Sequence, residues 1–549
     1  MNPSQLQCSV GGLRFARRRA QTAKGTALAT QLLRPQLRCM SIKQLDDSRK
    51  GRERIVILGS GWAGYTLSRS LSHSKYQVIV VSPRSYFVFT PLLASTSVGT
   101  LEFRNALEPV RSRRNATEFF QGWADNVDFE AKKLLIEEAV HDPQQGLALT
   151  GEPASESKSG EKYGVKNGEL IRQRKGDMFE MAWDKLVIAV GCYSQTFGTK
   201  GVKEHAFFLK DVGDARRIRN RMLACFETAS LPTTSEEMRK ALLHFAVVGG
   251  GPTGIEFSAE LHDLVKEDLA RLYPDLIRYH KITVYDVAPQ ILSMFDQKLG
   301  QYAIDTFRRE GIQVHTSTHI EELRPGLPST SSDADSPSCF TLKITEEGEV
   351  PVGMCVWSTG LMMNPFIQTS LDKPIPSHPS LLQEASDAAL LPPNTTYTMI
   401  KHPKTGAIQT NSRLEPLLTP TNSQTPTQDQ QSASMTSVFA LGDCASIATT
   451  PLPATAQVAN QKAKWLAKHL NNDTVSGSKG FTFRDLGVMA YIGNWKAIMQ
   501  SQGADISGLA AWIIWRGAYL AKTVSWRNRI LIATYWAVNW VFGRDISRF

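Results

Sequence analysis

RIVILGSGWAG, residues Arg54–Gly64, decides the fold of this chain. A β-branched apolar run meets Gly59, Ser60, Gly61, Trp62, Ala63 and Gly64, and an apolar-periodic stretch then continues through Leu71. The pattern predicts a buried strand, a tight turn and a helix. Each glycine has its own task. Gly59 permits the turn, Gly61 lets a pyrophosphate approach the backbone, and Gly64 lets the helix pack on the strand. The helix N-terminus then presents free N–H groups to phosphate. A second strand follows at Gln77–Val81. It ends in Ser82, Pro83 and Arg84, without the acid that usually holds a ribose hydroxyl. Either Ser82 substitutes for that acid or the ribose is held differently.

The pattern restarts far downstream. His244–Val248 runs into Gly249, Gly250, Gly251, Pro252, Thr253 and Gly254, followed by Ile255 and Glu256. The next strand, Lys281–Tyr285, does end in an acid, Asp286. A carboxylate there accepts hydrogen bonds from a ribose 2′-hydroxyl and repels a 2′-phosphate, which favours NADH over NADPH. Asp286 lies further from Gly254 than the usual spacing of about 20 residues, so a longer helix or an inserted turn is expected. Three strand-terminal glycines complete the frame. Trp183–Val190 ends at Gly191, Ser358 precedes Thr359 and Gly360, and Val438–Leu441 runs into Gly442 and Asp443. A short apolar strand ending in Gly-Asp commonly closes an FAD site, with the aspartate meeting the ribityl chain. The order of these pieces predicts an α/β protein with two Rossmann-type domains, an NAD domain inserted into a split FAD domain.

The expected boundaries are a leader at 1–45, FAD-binding residues 52–240 with a polar excursion at about 141–178, and an NADH-binding domain at 241–366. A polar insertion at 367–436, the second FAD segment at 437–485 and a C-terminal domain at 486–549 follow. Long Ser-, Thr- and Pro-rich stretches are uncommon inside compact domains, which is why they are set apart. The leader carries Arg14, Arg17, Arg18, Arg19, Lys24, Arg34, Arg38 and Lys43 with no acid before Asp46, the composition of a mitochondrial targeting peptide. It supplies much of the net charge of +10, so that charge does not argue for nucleic acid. The seven cysteines form no CxxC pair, no disulfide framework and no zinc spacing. No metal site is expected. Six of the eleven tryptophans lie in the last 65 residues, among Arg516, Lys522, Arg527, Arg529 and Arg544. The uncharged run Ile530–Gly543 falls short of the roughly 20 residues needed to span a bilayer. Aromatic and cationic residues beside an apolar face suit a helix lying in a membrane interface; a Trp-rich dimer contact is the alternative.

Several stretches together resemble the mitochondrial type II NADH dehydrogenases, the rotenone-insensitive NADH:ubiquinone oxidoreductases, most closely those of fungi. They are Ser82–Leu93 with Thr90 and Pro91, Gly249–Glu256, Leu452–Gln461, Tyr491–Gly493 and the Trp-rich tail. The resemblance implies non-covalent FAD, NADH as electron donor and ubiquinone as acceptor, at the surface of the mitochondrial inner membrane on either face, without proton pumping. It implies that Ala456 begins a quinone-site motif in which Gln457 and Gln461, four apart on one helix face, donate amide hydrogens to a quinone carbonyl. It places Glu256 near nicotinamide and flavin; a first-turn acid at a helix N-terminus is the plain structural reading. Homodimerisation through the tail is implied by the family alone. Two rivals share the architecture. A sulfide:quinone reductase would use separated cysteines such as Cys192 and Cys355 at the flavin, and an apoptosis-inducing-factor-like redox flavoprotein would bind NADH without needing the glutamine pair.

Overall fold

The computed structural model describes residues 41–112, 116–142, 145–150, 162–166, 169–173, 176–328, 338–376, 382–383, 396–421, 433–501 and 503–548. An N-terminal piece ends at Lys50, and Gly51–Phe549 forms the body. Most of the expected leader lies outside the described residues. Its end holds a short helix, Ile42–Asp47, closed by a capping box in which Ser41 and Gln44 satisfy each other's backbone N–H groups.

The body is built on two parallel sheets. In the first, β1 (Glu53–Leu58), β2 (Tyr76–Ser82), β3 (Glu118–Asp128), β4 (Lys133–Glu138), β5 (Met178–Ala182) and β6 (Lys185–Ile188) are joined by Val438–Ala440 from much later in the chain. The order is Val438–Ala440, β6, β1, β2, β3, β4, β5. The first five run parallel and the last two pair antiparallel. Register is fixed because both faces are covered: Leu58 pairs with Val81 on one side and Ile188 on the other. Ile55, Ile57, Val80, Val187 and Phe439 share one core with Ala463 and Leu466 of a helix at Ala456–Asn471.

The second sheet has the order β7 (Phe207–Phe208), β11 (Met354–Trp357), β8 (His244–Val248), β9 (Lys281–Tyr285), β10 (Gln313–His315), all parallel. Phe245, Val247, Ile282, Val284 and Met354 pack with Phe226, Phe257 and Phe307. The wide sequence gap before Asp286 is filled as expected, by helix Pro252–Leu264 continuing through a π turn at Val265–Leu269.

Three expected boundaries move. The second unit starts before residue 241. Strand β7 belongs to its sheet, and helix Val212–Ser230 buries Ile218, Met222 and Phe226 against Phe245 and Val247. The chain leaves the first unit through Cys192–Ser194 and returns through Leu361–Met363, and these two crossings pair antiparallel, Cys192 opposite Met363. Residues 367–436 are not one insertion either. Ile408–Thr410 pairs parallel with Ala445–Ile447, a sheet includes Thr396–Met399 and Leu417–Pro420, and Leu414 is fully buried beside Phe439 and Leu441. Only 377–381, 384–395 and 422–432 of that stretch lie outside the described residues. Nor is 141–178 wholly a surface excursion: Leu147 O accepts from Arg84 Nη2 at 2.8 Å, and Ala148 N donates to Asp214 at 2.9 Å. Polar composition hid the last two of these segments, because a few buried residues among many polar ones leave no period.

The C-terminal part is more than helices. A three-stranded antiparallel sheet, Val488–Tyr491, Ala497–Ser501 and Ala504–Gly508, precedes helices Leu509–Lys522 and Trp526–Phe542. No described helix is long and apolar enough to cross a membrane. The last helix straps over the body. Ile532 is fully buried in the first core, a contribution of about 2 kcal/mol by apolar burial. Asn528 Nδ2 donates to Leu107 O at 2.9 Å, and Arg544 Nη1 meets Glu267 and Asp268 at 2.7 Å each.

A methyl group at Gly64 would stand 2.0 Å from Gly59 O and 3.1 Å from Ile57 Cγ2. Gly64→Ala is therefore expected to cost on the order of 3 kcal/mol, as overpacking against backbone does. Chemical denaturation of the two proteins side by side measures it; an unchanged midpoint would refute the packing account.

Candidate functional site

The parallel strands of the first sheet open at their C-terminal ends into a cavity of about 310 Å³. This is where strand order reverses around β1, the place where open α/β sheets bind ligands. Gly59 has φ 108°, and a Cβ there would lie 2.3 Å from Ala189 O. Around Gly61 a Cβ would meet nothing within 4 Å, so its backbone faces open space. Helix Trp62–Ser70 begins there with no side-chain cap, its first N–H groups aimed outward.

Thirteen residues singled out in the sequence line this cavity: Gly59, Ser60, Gly61, Trp62, Ala63, Ser82, Pro83, Arg84, Thr90, Gly191, Gly442, Asp443 and Ala456. Gly64 works beneath the turn, and Pro91 sits in the 3₁₀ turn Thr90–Leu92. Ser60 Oγ lies 3.0 Å from Ser82 Oγ and donates to Tyr86 O at 2.9 Å, which fixes the turn against the end of β2. Trp62 Nε1 donates to Thr90 Oγ1 at 3.1 Å. Arg84 Nε pairs with Asp211 at 2.7 Å, and Tyr86 O–H donates to the same carboxylate at 3.0 Å. Other wall residues went unremarked in the sequence, among them Trp123, Tyr193, Lys210, Asn364 and Phe366, while Cys192 was named there only for the rival sulfide reductase. They come from separate strands and crossings and share no motif; only the positions of Gly191 and Gly360 hinted that neighbours of the crossings would matter.

The second glycine turn repeats the first. Gly249 N donates to Tyr285 O at 2.8 Å, as Gly59 N does to Val81 O at 2.8 Å. A Cβ on Gly254 would lie 2.0 Å from Gly249 O, the same figure found at Gly64 and Gly59. Asp286 accepts from Gly250 N and, at 2.7 Å, from Ala288 N, so its carboxylate is pinned beside the turn. Pro252 and Thr253 open the helix after Gly251. Gly360 has φ 78° and lies under the Phe197 ring, with Thr359 next to it. None of Gly249–Gly254, Asp286, Thr359 or Gly360 lines the first cavity.

The three residues expected to be catalytic stand elsewhere. Glu256 is not at the cavity. It is buried in helix Pro252–Leu264, where Oε1 accepts from Tyr491 N at 3.2 Å and Trp515 Nε1 at 3.0 Å. Burial pushes its carboxyl up to about 8, so it is a neutral acid at cellular pH. Gln457 and Gln461 do share one helix face, but both carboxamides clamp the backbone of 484–487. Gln457 accepts from Leu486 N at 3.1 Å and donates to Gly487 O at 3.2 Å. Gln461 accepts from Arg484 N at 3.1 Å and donates to Arg484 O at 2.8 Å. Spacing places them on one face; it cannot foresee that a loop backbone satisfies them first. Cys192 is at the cavity wall, whereas Cys355 is fully buried in β11 among Ala246 and Leu342, its thiol raised to about 12 by burial. The two therefore do not form a thiol pair at the cavity, as a sulfide-oxidising site would need.

Two dinucleotide turns of matching geometry, one in a split unit and one in the unit inserted into it, define an oxidoreductase that couples two nucleotide cofactors. The chain carries the pyridine nucleotide-disulphide oxidoreductase signature over residues 53–378 and the NDH2 C-terminal domain over 486–545. It belongs to the alternative NAD(P)H–ubiquinone oxidoreductases, the type II NADH dehydrogenases, within that larger family. A probable NADH dehydrogenase of Dictyostelium discoideum is 35% identical over 90% of this chain and 91% of the relative. The internal alternative NAD(P)H-ubiquinone oxidoreductase A1 of Solanum tuberosum mitochondria is 33% identical over 90% and 88%. NDH2 of Plasmodium falciparum, solved with NADH, shares the fold with TM-score 0.68 at 21% identity, covering 90% of this chain and all of that one. The sulfide:quinone oxidoreductase of Aquifex aeolicus shares it with TM-score 0.56 at 15% identity, covering 90% and 96%.

The neutral acid at Glu256 has a measurable signature. Unfolded, it loses its proton near the ordinary 4.5; folded, it keeps it to about 8, so its contribution to stability falls as pH rises through that interval. Glu256→Gln keeps the acceptor oxygen and removes the titration. Thermal melts from pH 5 to pH 9 should show the variant gaining on the wild type up to about 8 and then running parallel. A gap independent of pH would mean the carboxyl is ionised when folded.

Proposed function

We propose that this protein oxidises NADH and reduces ubiquinone through bound FAD, as a non-pumping peripheral enzyme of the mitochondrial inner membrane. The observation that carries the reading is the repeated glycine turn, found in a chain similar over nine-tenths of its length to relatives named for this reaction. The first cavity suits FAD. Its turn tolerates no side chain at Gly59, leaves the backbone open at Gly61 and points a helix N-terminus at the space where a pyrophosphate would lie. Asp443 also lines the cavity, an acceptor for ribityl hydroxyls, and Ser82 replaces the missing ribose acid.

FAD, when bound, accepts a hydride from NADH and passes two electrons to the quinone. The protein's residues bind, orient and shield. Gly249–Gly254 receives the nicotinamide dinucleotide's pyrophosphate, while Asp286, pinned by Gly250 and Ala288, accepts from the ribose 2′-hydroxyl and disfavours a 2′-phosphate. Ala456 and Ala459 line the cavity from helix Ala456–Asn471, and Gln457 and Gln461 anchor the stretch that leads into the C-terminal sheet. Their effect on quinone is thus on the shape of its approach. Glu256 stays protonated and ties Tyr491 and Trp515 to the inserted unit.

Detergent-purified protein mixed with a short-chain ubiquinone should turn over with NADH and far more slowly with NADPH. Sulfide-dependent turnover, or no turnover with any of the donors, would overturn the proposal. In the Gln457→Ala/Gln461→Ala pair, quinone reduction should fall at least about tenfold, a loss of roughly 1.4 kcal/mol in transition-state binding, while bleaching of the flavin by NADH proceeds. Equal loss of both would remove the glutamines from the quinone side.

The C-terminal helices present the membrane face. Trp526, Ile530, Val538 and Val541 fall on one side of the last helix, and Trp526, Trp540 and Phe542 are 74%, 75% and 82% exposed. Arg529 lies over the Trp526 ring at 4.9 Å. Indoles with cations beside an apolar stripe sit at the headgroup level of a bilayer. Replacing Trp526, Trp540 and Phe542 by serine should abolish co-sedimentation with anionic vesicles at unchanged NADH-driven bleaching. Pairing of two copies through this face is the competing outcome: a dimer in solution that ignores vesicles.

A further inference from the structure

We propose that Lys210 is the cation that holds the pyrophosphate of FAD in the first cavity, a role that rests on the assignment of FAD to that cavity. Two other charged side chains line the wall, Arg84 and Asp443. Arg84 is already neutralised by Asp211 at 2.7 Å. The Lys210 ammonium is not: among the described residues its contacts are Cys192 O at 2.5 Å and Cys192 Sγ at 3.1 Å. The Cys192 thiol in turn donates to Asp443 Oδ2 at 3.3 Å, so a sulfur atom stands between ammonium and carboxylate. Asp443 is left for hydroxyl groups, and the ammonium is left without a paired charge.

Contacts tie the Lys210 segment to the glycine turn from two sides. Gly59 of the turn abuts Ala189 and Val190, and the same strand end continues through Gly191 into Cys192, whose carbonyl holds Lys210. From the other side, Ser60 Oγ of the turn lies 3.0 Å from Arg84 O, Arg84 pairs with Asp211, and Asp211 follows Lys210 directly. The backbone there is fixed by buried Asp214, which accepts from Lys210 N at 3.0 Å and Asp211 N at 2.8 Å. Helix N–H groups supply hydrogen bonds to a pyrophosphate but only partial charge. A doubly charged group in a part-buried wall calls for a full cation as well, and Lys210 is the one held ready.

The test measures cofactor retention in the full-length protein. Wild type, Lys210→Met and Lys210→Arg are purified with FAD, and FAD release is followed by the recovery of its fluorescence on dilution at rising salt. Lys210→Met should bind FAD about 10- to 100-fold more weakly, the worth of one charge-assisted hydrogen bond. It should show a flatter salt dependence, and ADP should displace FAD from it less well. Lys210→Arg should stay near wild type. When FAD is added to saturation, Lys210→Met should regain the wild-type flavin spectrum and midpoint potential, which separates a lost contact from a lost fold. Unchanged FAD affinity in Lys210→Met overturns the proposal, as does a shifted potential at unchanged affinity, since the cation would then act on the isoalloxazine. If the wild type itself holds no FAD, it is the functional assignment that fails.

Discussion

In each α/β unit a helix approaches the strand before it so closely that a single methyl group would stand 2.0 Å from a carbonyl oxygen, at Gly64 over Gly59 and at Gly254 over Gly249. That approach aims the helix axis, and with it the unpaired N–H groups of the first turn, at the mouth of each sheet. Adjacent strands are then constrained too. Gly59 leaves no room between itself and Ala189, and Gly249 none between itself and Ser358, so β6 and β11 must end where they do. The crossings at Cys192–Ser194 and Leu361–Met363 begin from those ends. The cavity and the crossings follow from two missing side chains, a pair used twice.

The C-terminal part draws on a different physics. Glu256 is taken out of water by Tyr491 and Trp515 and becomes a neutral hydrogen-bonding acid. Glu260, one turn on, accepts from Ser95 Oγ at 2.6 Å and Thr100 Oγ1 at 2.8 Å, and burial raises its carboxyl as well. Asp263 accepts from the Tyr491 hydroxyl. One face of helix Pro252–Leu264 thus carries three acids whose partners lie on the first unit, on the C-terminal sheet and on the helix Leu509–Lys522. Polar groups in such a setting stabilise only when fully partnered, which makes the junction specific as well as tight.

Strands whose signal is local were legible in the sequence. His244–Val248 and Lys281–Tyr285 coincide with the expected spans, and the glycine turns stand where strand meets helix. Segments whose signal is tertiary were not. Phe207–Phe208 is too short to show a period, and Leu414 is one apolar residue in a polar stretch. The cavity was half legible for the same reason. Gly59–Ala63 and Ser82–Arg84 announce themselves by motif, whereas Lys210 acquires meaning only when the fold brings it against Cys192 of the first crossing. The glutamine pair shows the limit of periodicity, which gives a face but not what covers it.

The first sheet closes on Val438–Ala440, and its core is completed by Ile532, yet its leading strand lies at Glu53–Leu58. The strands of the second sheet all come from the continuous stretch Phe207 to Trp357, while its core also takes in Tyr491 and Trp515. On a chain that emerges or is threaded N-terminus first, the strands of the inserted sheet are therefore all present while the sheet around it still waits for its last strand. Its edges stay exposed through that interval. Vectorial synthesis thus delivers every strand of the middle sheet before the sheet around it can close.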